Sequence, residues 1–295
     1  MKPLANRIVS EFQGRVRGET LLPGQPGYED ARQVWNAMID RRPALIVRCE
    51  VPEDVVHSVR FAGDHDLLIS VRGGGHNIAG SAVCDGGLMV DFSRMKKVSM
   101  DPVARRATVD PGCTLGDLDA ATQVYGLATP LGINSTTGVA GLTLGGGFGW
   151  LSRKYGMTVD NLLSADVVLA DGTQTRASET ENPDLFWGLR GGGSNFGIVT
   201  RFEFQLHPVG PLVLSGLIVY PFHQAKSVLT QFARFTETMP DELTVWMVTR
   251  NAPPLPFLPP SVHGTEVVAL ALCFVGDPED GAKRIEPLRG FGTVL

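Results

Sequence analysis

Three clusters of glycine constrain the fold of this chain more than any other feature. The first, residues 73–75, follows an apolar and β-branched run at residues 67–71 that predicts a buried strand. The second lies between residues 132 and 149, and the third between residues 191 and 197. Well-patterned apolar sequence flanks each cluster, which argues against low-complexity disorder. Because glycine lets backbone N–H groups approach a ligand closely, three such sites predict an extended ligand held along its length.

The first cluster stands between an arginine and a histidine, Arg72 and His76. An arginine beside backbone N–H groups favours a phosphate or pyrophosphate as the ligand, and His76 is expected to face that ligand. None of the clusters reads Gly-x-Gly-x-x-Gly or Gly-x-x-x-x-Gly-Lys-Ser/Thr. A Rossmann domain and a P-loop enzyme are therefore not supported.

Composition excludes several classes of protein. The 295 residues carry a net charge of −5, and lysine and arginine are scattered, so no nucleic-acid partner is expected. The four cysteines lie far apart, which suggests neither a metal site nor a disulfide framework. No signal peptide and no bilayer-spanning run is recognisable, so we expect a soluble, cytoplasmic protein with no membrane partner.

Hydrophobic periodicity predicts a mixed order of helices and strands up to residue 206. Helices are expected near residues 30–40, from Pro52 onward, after an N-cap at Thr114, and at residues 183–189. Strands are expected at residues 44–48, 67–71, 87–91, 106–110 and 198–206. Asp171-Gly172 predicts a hairpin between residues 163–169 and 173–177.

A candidate boundary at residues 208–211 separates this part from a β-α-β-β-α run. Its strands are expected at residues 212–220, 243–249 and 266–275, and its helices at residues 222–238 and from about residue 277. A split β-α-β unit of this kind normally needs a further strand to bury its last helix. The sequence therefore predicts an α+β protein and a C-terminally truncated version of a longer parent.

With these motifs in place, the chain resembles flavoproteins of the vanillyl-alcohol oxidase and berberine-bridge-enzyme type, whose flavin domain is called the PCMH-type domain. Within them it is most similar to the bacterial 6-hydroxynicotine-oxidase-like enzymes. The resemblance covers roughly residues 35–210, and its motifs occur in family order: RGGGHN at 72–77, GINSTTGVAG at 132–141, GGGFGW at 145–150, KYG at 154–156 with DN at 160–161, and LFW at 185–187 through GIVT at 197–200.

The resemblance implies a two-subdomain PCMH-type FAD-binding domain at residues 40–209. An N-terminal segment, residues 1–39, precedes it. Residues 210–295 then form a partial substrate-binding domain with an incomplete antiparallel sheet.

The resemblance also implies that FAD is joined covalently to His76 through its 8α methyl group. A neutral imidazole is a competent nucleophile near neutral pH. Some relatives attach the flavin a second time through a cysteine, and here the matching residue is Asn134, so a bicovalent flavin is not expected. Cys84 and Cys113 are interpreted as packed small hydrophobes. The remaining histidines are interpreted as structural: His57, His65, His207, His223 and His263.

By the same resemblance, a set of residues from all three clusters is expected to bind FAD. Ile198 and Val199 are assigned to an apolar wall beside the adenine. Asp160 and Asn161 either contact the cofactor or cap nearby backbone. Arg153, Lys154 and Tyr155 are placed on the cofactor side, with substrate contact left open and Lys154 equally compatible with a surface charge. Beside His76, the full expected set is Arg72, Gly73, Gly74, Gly75, Asn77, Gly80, Ser81, Gly132, Thr136, Gly138, Gly141, Leu142, Gly145, Gly146, Gly149, Asp160, Ile198 and Val199.

The function implied is an FAD-dependent oxidoreductase that transfers a hydride from an alcohol, amine or sugar-type small molecule to the flavin, with O2 as the reoxidant and hydrogen peroxide as product. No catalytic base is assigned, because the family's base is expected in a segment that this chain lacks. The alternatives are a flavin dehydrogenase with another acceptor, a truncated non-catalytic FAD-binding remnant, and a glycine-rich nucleotide-binding module without flavin. The sequence predicts no oligomeric state.

Overall fold

Helices and strands alternate irregularly in the computed structural model of the protein, which describes residues 6–193 and 195–295. The helices are α1 (Asn6–Gln13), α2 (Tyr28–Ala31), α3 (Pro52–Asp64), α4 (Leu115–Gln123), α5 (Val139–Leu144), α6 (Ser152–Tyr155), α7 (Pro183–Leu189), α8 (Ala225–Thr236) and α9 (Pro278–Arg289). The strands are β1 (Glu19–Leu21), β2 (Leu45–Arg48), β3 (Ile69–Arg72), β4 (Leu88–Asp91), β5 (Val98–Asp101), β6 (Arg106–Val109), β7 (Leu127–Ala128), β8 (Leu162–Val168), β9 (Gln174–Ser178), β10 (Ile198–Gln205), β11 (His207–Pro208), β12 (Leu214–Pro221), β13 (Leu243–Asn251) and β14 (Glu266–Phe274).

These elements form two compact units. The first comprises the described residues up to Gly149 together with Gly156–His207, and the second comprises Trp150–Tyr155 and Pro208–Leu295. Both contain helices packed on sheets, so the predicted α+β class is confirmed. In the described part of the chain, no helix is both long and apolar enough to cross a membrane.

A four-stranded sheet in the first unit delivers the first glycine cluster. Its strand order is β1-β2-β4-β3, in which β2, β4 and β3 are parallel and β1 is antiparallel to β2. All four residues of β4 are buried, which explains why its sequence is a nearly continuous apolar run. Arg72 and Asp91 are register partners at the ends of β3 and β4. The chain enters the cluster directly after this pair.

A five-stranded antiparallel sheet in the same unit has the order β5-β6-β10-β8-β9. The central strand β10 buries Phe202 and Phe204, as its alternation predicted. The predicted hairpin at Asp171-Gly172 joins β8 and β9, and Gly172 has the positive φ of 77° that this turn requires. The predicted N-cap is confirmed, since the Thr114 hydroxyl accepts a hydrogen bond from the Asp117 N–H.

The second unit contains a three-stranded antiparallel sheet with the order β12-β14-β13. Apolar residues of α8 and α9 pack with one face of this sheet, and the buried Tyr220 hydroxyl donates to the Leu288 carbonyl. Trp150 belongs to this unit. Its carbonyl accepts from the Thr244 hydroxyl at 2.8 Å, and its ring stacks on Trp246 with 4.6 Å between ring centroids. The β-α-β-β-α order predicted from the sequence is confirmed.

The predicted helix near residues 30–40 is wrong, because only Tyr28–Ala31 is helical there. Beyond it, residues of this segment also bind the first glycine cluster and the loop after it. The Trp35 N–H donates to the Gly75 carbonyl at 3.0 Å, and the Arg41 guanidinium donates to the Gly80 carbonyl at 2.9 Å. In a helix the Trp35 N–H would instead bond to a carbonyl four residues earlier, so the long-range contact overrides the local pattern. The strand expected at residues 67–71 begins two residues later, at Ile69. The elements that were not predicted are α1, α5, α6, β1, β5, β7 and β11.

Candidate cofactor-binding site

A cavity of about 420 Å³ in the first unit is lined by all three glycine clusters. It is largely free of charged side chains and is bounded by backbone, small residues and apolar side chains. Of the residues expected to bind FAD, those that line it are Gly73, Gly74, Gly75, His76, Asn77, Ser81, Gly138, Gly141, Leu142, Gly145, Ile198 and Val199. The sequence reasoning missed Val71, Ala82, Phe92, Thr137, Ala140, Leu144, Gly193 and Gly197.

The signal for several missed residues was present in the sequence. Gly193 and Gly197 belong to the third glycine cluster, but only the residues that follow it, Ile198 and Val199, had been assigned to FAD binding. Thr137 and Ala140 alternate with selected residues in the second cluster. The sequence around Phe92 gave no indication of a cavity residue. Phe92 lies at the cavity because it directly follows β4, which the parallel sheet places beside β3.

Two glycine loops cross at the floor of the site. A Cβ atom built on Gly74 would overlap the backbone nitrogen of Gly138, and one built on Gly138 would overlap the backbone nitrogen of Gly74. Neither position can hold a side chain unless the backbone moves. These two glycines are therefore required by the contact between the loops, in addition to any ligand.

Other glycines of the site face open space. A Cβ atom on Gly141, within α5, or on Gly193 would meet no heavy atom within 4 Å, and both residues line the cavity. No side chain of the described residues fills the space in front of them. The cavity thus has the form of a cradle that is bare in front of Gly141 and Gly193, and an extended ligand such as FAD fits that form.

His76 lies at the cavity with its imidazole contacted from two directions. Its Nε2 atom is 3.0 Å from the Thr136 hydroxyl, which also donates to Oδ1 of Asn134 at 2.8 Å. The ring of Trp35 stacks on the imidazole, with 5.5 Å between centroids and 21° between planes. Thr136 does not line the cavity itself and reaches the site through His76. The described structure thus fixes both the plane of the imidazole and the partner of one ring nitrogen.

The structure does not bring the Arg72 guanidinium to the cavity. Its Nη1 donates to the Ala31 carbonyl at 2.8 Å and lies 3.8 Å from a carboxylate oxygen of Asp91. Asp91 is fully buried and also accepts from the N–H and hydroxyl of Ser93. A buried carboxylate needs such partners, so the side chain of Arg72 holds the start of the glycine loop in this structure.

Five further expected residues also lie outside the cavity lining. They are Gly80, Gly132, Gly146, Gly149 and Asp160. The glycines are packed against neighbours: a Cβ atom would come 2.7 Å from Ile39 at Gly80, 3.1 Å from Leu142 at Gly132 and 2.9 Å from Met157 at Gly146, and it would overlap the Leu131 carbonyl at Gly149. They shape the loops that surround the site.

Asp160 stabilises the backbone that follows the second cluster. One carboxylate oxygen accepts from the Met157 N–H at 2.8 Å, and the other lies 3.1 Å from the guanidinium of Arg190. The neighbouring Asn161 donates to the Met157 carbonyl and contacts His207 at 2.6 Å. Burial lowers the pKa of His207 below its ordinary value. Both polar residues thus serve the local loop structure.

Arg153 and Lys154 are held within the second unit. Lys154 Nζ donates to the Val275 carbonyl at 2.9 Å and lies 3.7 Å from the Glu242 carboxylate. The Arg153 guanidinium donates to the Met239 carbonyl at 3.1 Å. Both cationic side chains thus have hydrogen-bond or ion-pair partners within this unit, and Lys154 is not a freely solvated side chain.

The four cysteines are buried and free. Burial raises the pKa of the Cys113 thiol to about 12 and also raises the pKa of Cys49 and Cys273. A thiol with so high a pKa is protonated at neutral pH and is a poor nucleophile. This agrees with the interpretation of Cys113 as a packed side chain.

Comparison with known proteins identifies the domain that carries this cavity. Residues 43–178 match the model of the FAD binding domain family. An FAD-linked oxidoreductase of Dictyostelium discoideum is 36% identical over 294 residues, which are 99% of this chain and 61% of that protein. (R)-6-hydroxynicotine oxidase of Paenarthrobacter nicotinovorans is 34% identical over 282 residues, covering 95% of this chain and 60% of the relative.

Solved structures agree with the sequence comparison. The crystal structure of 6-hydroxy-D-nicotine oxidase from Arthrobacter nicotinovorans superimposes with a TM-score of 0.87 at 33% identity, covering 99% of this chain and 62% of that one. The chain spans about three fifths of the length of the curated relatives named above. It belongs to the FAD-linked oxidoreductases of the vanillyl-alcohol oxidase and berberine-bridge-enzyme type.

Proposed function

We propose that the protein oxidises a small molecule by hydride transfer to an FAD that is attached covalently, and only once, through His76. The observation that carries this proposal is the position of the His76 imidazole at a cavity lined by all three glycine clusters and left open in front of Gly141 and Gly193. Bound flavin supplies the redox chemistry, since it accepts a hydride and passes the electrons on. The residues described above supply binding, orientation and a nucleophilic nitrogen.

Backbone and apolar groups are assigned to hold the cofactor. Gly73, Gly74 and Gly75 line one part of the cavity and are proposed to offer main-chain groups to the cofactor there. Ile198 and Val199 line another part and are proposed as the apolar wall beside the adenine. The remaining proposed contacts are Asn77, Ser81, Gly138, Gly141, Leu142 and Gly145.

The residues outside the cavity lining receive supporting roles in this proposal. Thr136 acts through His76, and Arg72 and Asp160 hold the first and second loops by their hydrogen bonds and ion pairs. Gly80, Gly132, Gly146 and Gly149 permit the close packing of those loops.

A second covalent attachment is not proposed. Asn134 stands where some relatives have the cysteine, and its side-chain oxygen accepts hydrogen bonds from the Thr136 N–H and hydroxyl. Cys113 is buried, and burial raises the pKa of its thiol to about 12. Neither residue offers a thiolate to the cofactor.

The attachment is tested by acid precipitation of the purified protein. We expect the yellow flavin to stay with the pellet in the wild type and to move to the supernatant in His76→Ala. Mass spectrometry of a digest should find flavin on the His76 peptide alone. A colourless wild-type pellet, or a flavinylated peptide that carries Cys84 or Cys113, would overturn the assignment.

Dioxygen is proposed as the electron acceptor and an alcohol, amine or sugar hydroxyl compound as the substrate class. One relative is an oxidase of (R)-6-hydroxynicotine, which makes amines the first class to test. Oxygen consumption and peroxide formation should accompany turnover. Flavin reduction by substrate without reoxidation in air would indicate a dehydrogenase with another acceptor. Yellow protein that no alcohol, amine or sugar reduces would indicate a non-catalytic FAD-binding remnant, and protein purified without flavin would favour the glycine-rich nucleotide-binding module.

A further inference from the structure

Two side chains contact the His76 imidazole, Trp35 and Thr136, and a third, Asn134, holds the hydroxyl of Thr136. Trp35 comes from the N-terminal part of the chain, while Thr136 and Asn134 come from the second glycine cluster. We propose that Trp35 and Thr136 are positioning residues that hold the His76 imidazole in the orientation and protonation state needed to attack the flavin. This proposal rests on the proposed covalent attachment.

Hydrogen-bond geometry selects the protonated nitrogen. The Thr136 hydroxyl has one proton, and it lies 2.8 Å from Asn134 Oδ1, an atom that also accepts from the Thr136 N–H at 3.1 Å. Since an amide oxygen can only accept, the hydroxyl donates to Asn134 and its oxygen must accept from His76. Nε2 of His76, 3.0 Å away, therefore carries the hydrogen.

This arrangement leaves the Nδ1 atom of His76 unprotonated, with no hydrogen-bond partner among the described residues. Attachment forms a C–N bond between Nδ1 and the 8α carbon, and it breaks a C–H bond of the 8α methyl group and, after the attack, the Nε2–H bond of the imidazole. The two electrons and two protons that are released reduce dioxygen to hydrogen peroxide. As the C–N bond forms, the imidazole gains positive charge, and the bond from Nε2–H to Thr136 becomes charge-assisted and stronger. Thr136 thus stabilises the transition state more than the ground state.

Trp35 fixes the plane of the same ring. Its indole stacks on the imidazole at 5.5 Å, although 60% of the tryptophan side chain is exposed. Its backbone N–H donates to the Gly75 carbonyl at 3.0 Å, and the next residue, Asn36, donates from its side chain to the Ile78 carbonyl at 2.9 Å. These two hydrogen bonds hold the segment that carries the indole to residues on either side of His76 in the sequence. An aromatic face also stabilises the cationic imidazole that forms during attack.

Thr136 lies inside the part of the chain that matches the FAD binding domain family, and Trp35 lies before it. The FAD binding domain match covers residues 43–178, which includes Thr136 and excludes Trp35. The N-terminal segment is therefore part of the attachment machinery in this proposal, beyond its role in packing.

The test follows covalent incorporation after FAD is added to full-length protein produced without flavin. Acid-stable flavin is measured against time in wild type, Thr136→Val, Thr136→Ser, Trp35→Ala and Trp35→Phe. We expect Thr136→Val to be about 3- to 10-fold slower, the range for the loss of one hydrogen bond, and Thr136→Ser to recover most of the rate. Trp35→Ala should slow attachment by a similar factor, and Trp35→Phe should retain most of the rate. Ser135→Ala and Trp187→Ala are matched controls that remove an exposed hydroxyl and an exposed tryptophan elsewhere.

A second measurement does not depend on flavin. Nitrogen-15 NMR of histidine-labelled, flavin-free protein should show His76 protonated at Nε2 in the wild type and as a mixture of tautomers in Thr136→Val. Wild-type rates in both Thr136→Val and Trp35→Ala, or an Nδ1-protonated His76 in the wild type, would overturn the proposal. A wild type that forms no acid-stable flavin would instead refute the proposed function, while the NMR result would still decide how Thr136 holds His76.

Discussion

Gly74 and Gly141 belong to similar glycine-rich motifs, and the structure predicts opposite consequences when each is changed to alanine. At Gly74 the added methyl group would overlap the backbone of Gly138, and backbone cannot rotate away as a flexible side chain can. Gly141 lines the cavity, and a methyl group added there would meet no heavy atom of the described residues within 4 Å, apart from its chain neighbours and the backbone of its own helix. The pair therefore separates glycines needed for loop packing from glycines needed for the cofactor.

The magnitudes follow from these surroundings. Overpacking of a close-packed site costs about 1–3 kcal/mol, so Gly74→Ala should lower the free energy of unfolding of the flavin-free protein by that amount. Gly141 lies within α5, where replacing glycine by alanine stabilises a helix by about 0.5–1 kcal/mol. Gly141→Ala should therefore leave the flavin-free protein as stable as the wild type or slightly more so. If FAD occupies the space in front of Gly141, the same overpacking cost now falls on binding, which becomes about 5- to 150-fold weaker.

Urea unfolding of the flavin-free proteins measures the first effect. The second is measured by titrating FAD into each variant in a His76→Ala background, where binding is expected to be reversible, and following the quenching of flavin fluorescence. FAD affinity at the wild-type level in Gly141→Ala would show that the cofactor does not occupy this part of the cavity. Unfolding of Gly74→Ala at the wild-type midpoint would refute the argument that the two loops require glycine at their crossing.

Three further predictions follow from buried polar groups. Burial raises the pKa of Cys113 to about 12, so a thiol reagent at about pH 8 should leave it unlabelled in the native protein and label it after unfolding; native labelling would contradict its burial. Burial lowers the pKa of His207, so folding favours the neutral imidazole; the stability that results is present above the unfolded pKa of about 6.5 and is lost as the pH falls through the folded pKa. His207→Gln should therefore reduce the loss of stability between about pH 7 and pH 5. An unchanged dependence of stability on pH in this variant would refute the prediction. Arg72→Met removes a partner from the buried Asp91 and should lower the free energy of unfolding by about 1–3 kcal/mol. An unchanged urea midpoint together with weaker FAD binding would instead indicate that Arg72 binds a phosphate of the cofactor.

Features that depend on local sequence were predicted well. Strand β4 was expected at residues 87–91 and is found at Leu88–Asp91, because a short apolar run bounded by glycine has few other structures available. The hairpin at Asp171-Gly172 and the N-cap at Thr114 depend on the chemistry of two to four adjacent residues, and both are present. For the same reason, all three glycine clusters could be recognised as approaches to one cavity.

Features that depend on distant partners were not accessible to the same reasoning. Arg72 adjoins the glycine loop in sequence, but its guanidinium is directed by its strand register with Asp91 and by the Ala31 carbonyl. Trp35 was placed in an expected helix, whereas its actual partner, His76, lies far along the chain in the loop after β3. A local pattern carries no information about such contacts, since they arise only when the sheet brings the loop and the segment together.

The glycine clusters show how this limit affects functional inference. By sequence alone, every glycine in a cluster is an equal candidate for contact with the ligand. In the structure, Gly74 and Gly138 exclude side chains because they face each other, and Gly149 excludes one because it faces the Leu131 carbonyl. Gly141 instead faces open space. Only a glycine that faces open space and also lines the cavity, as Gly141 does, supports a bound ligand. The space in front of each Cα, rather than the number of glycines, therefore decides which part of a glycine-rich motif binds a cofactor and which part holds the loops that form its site.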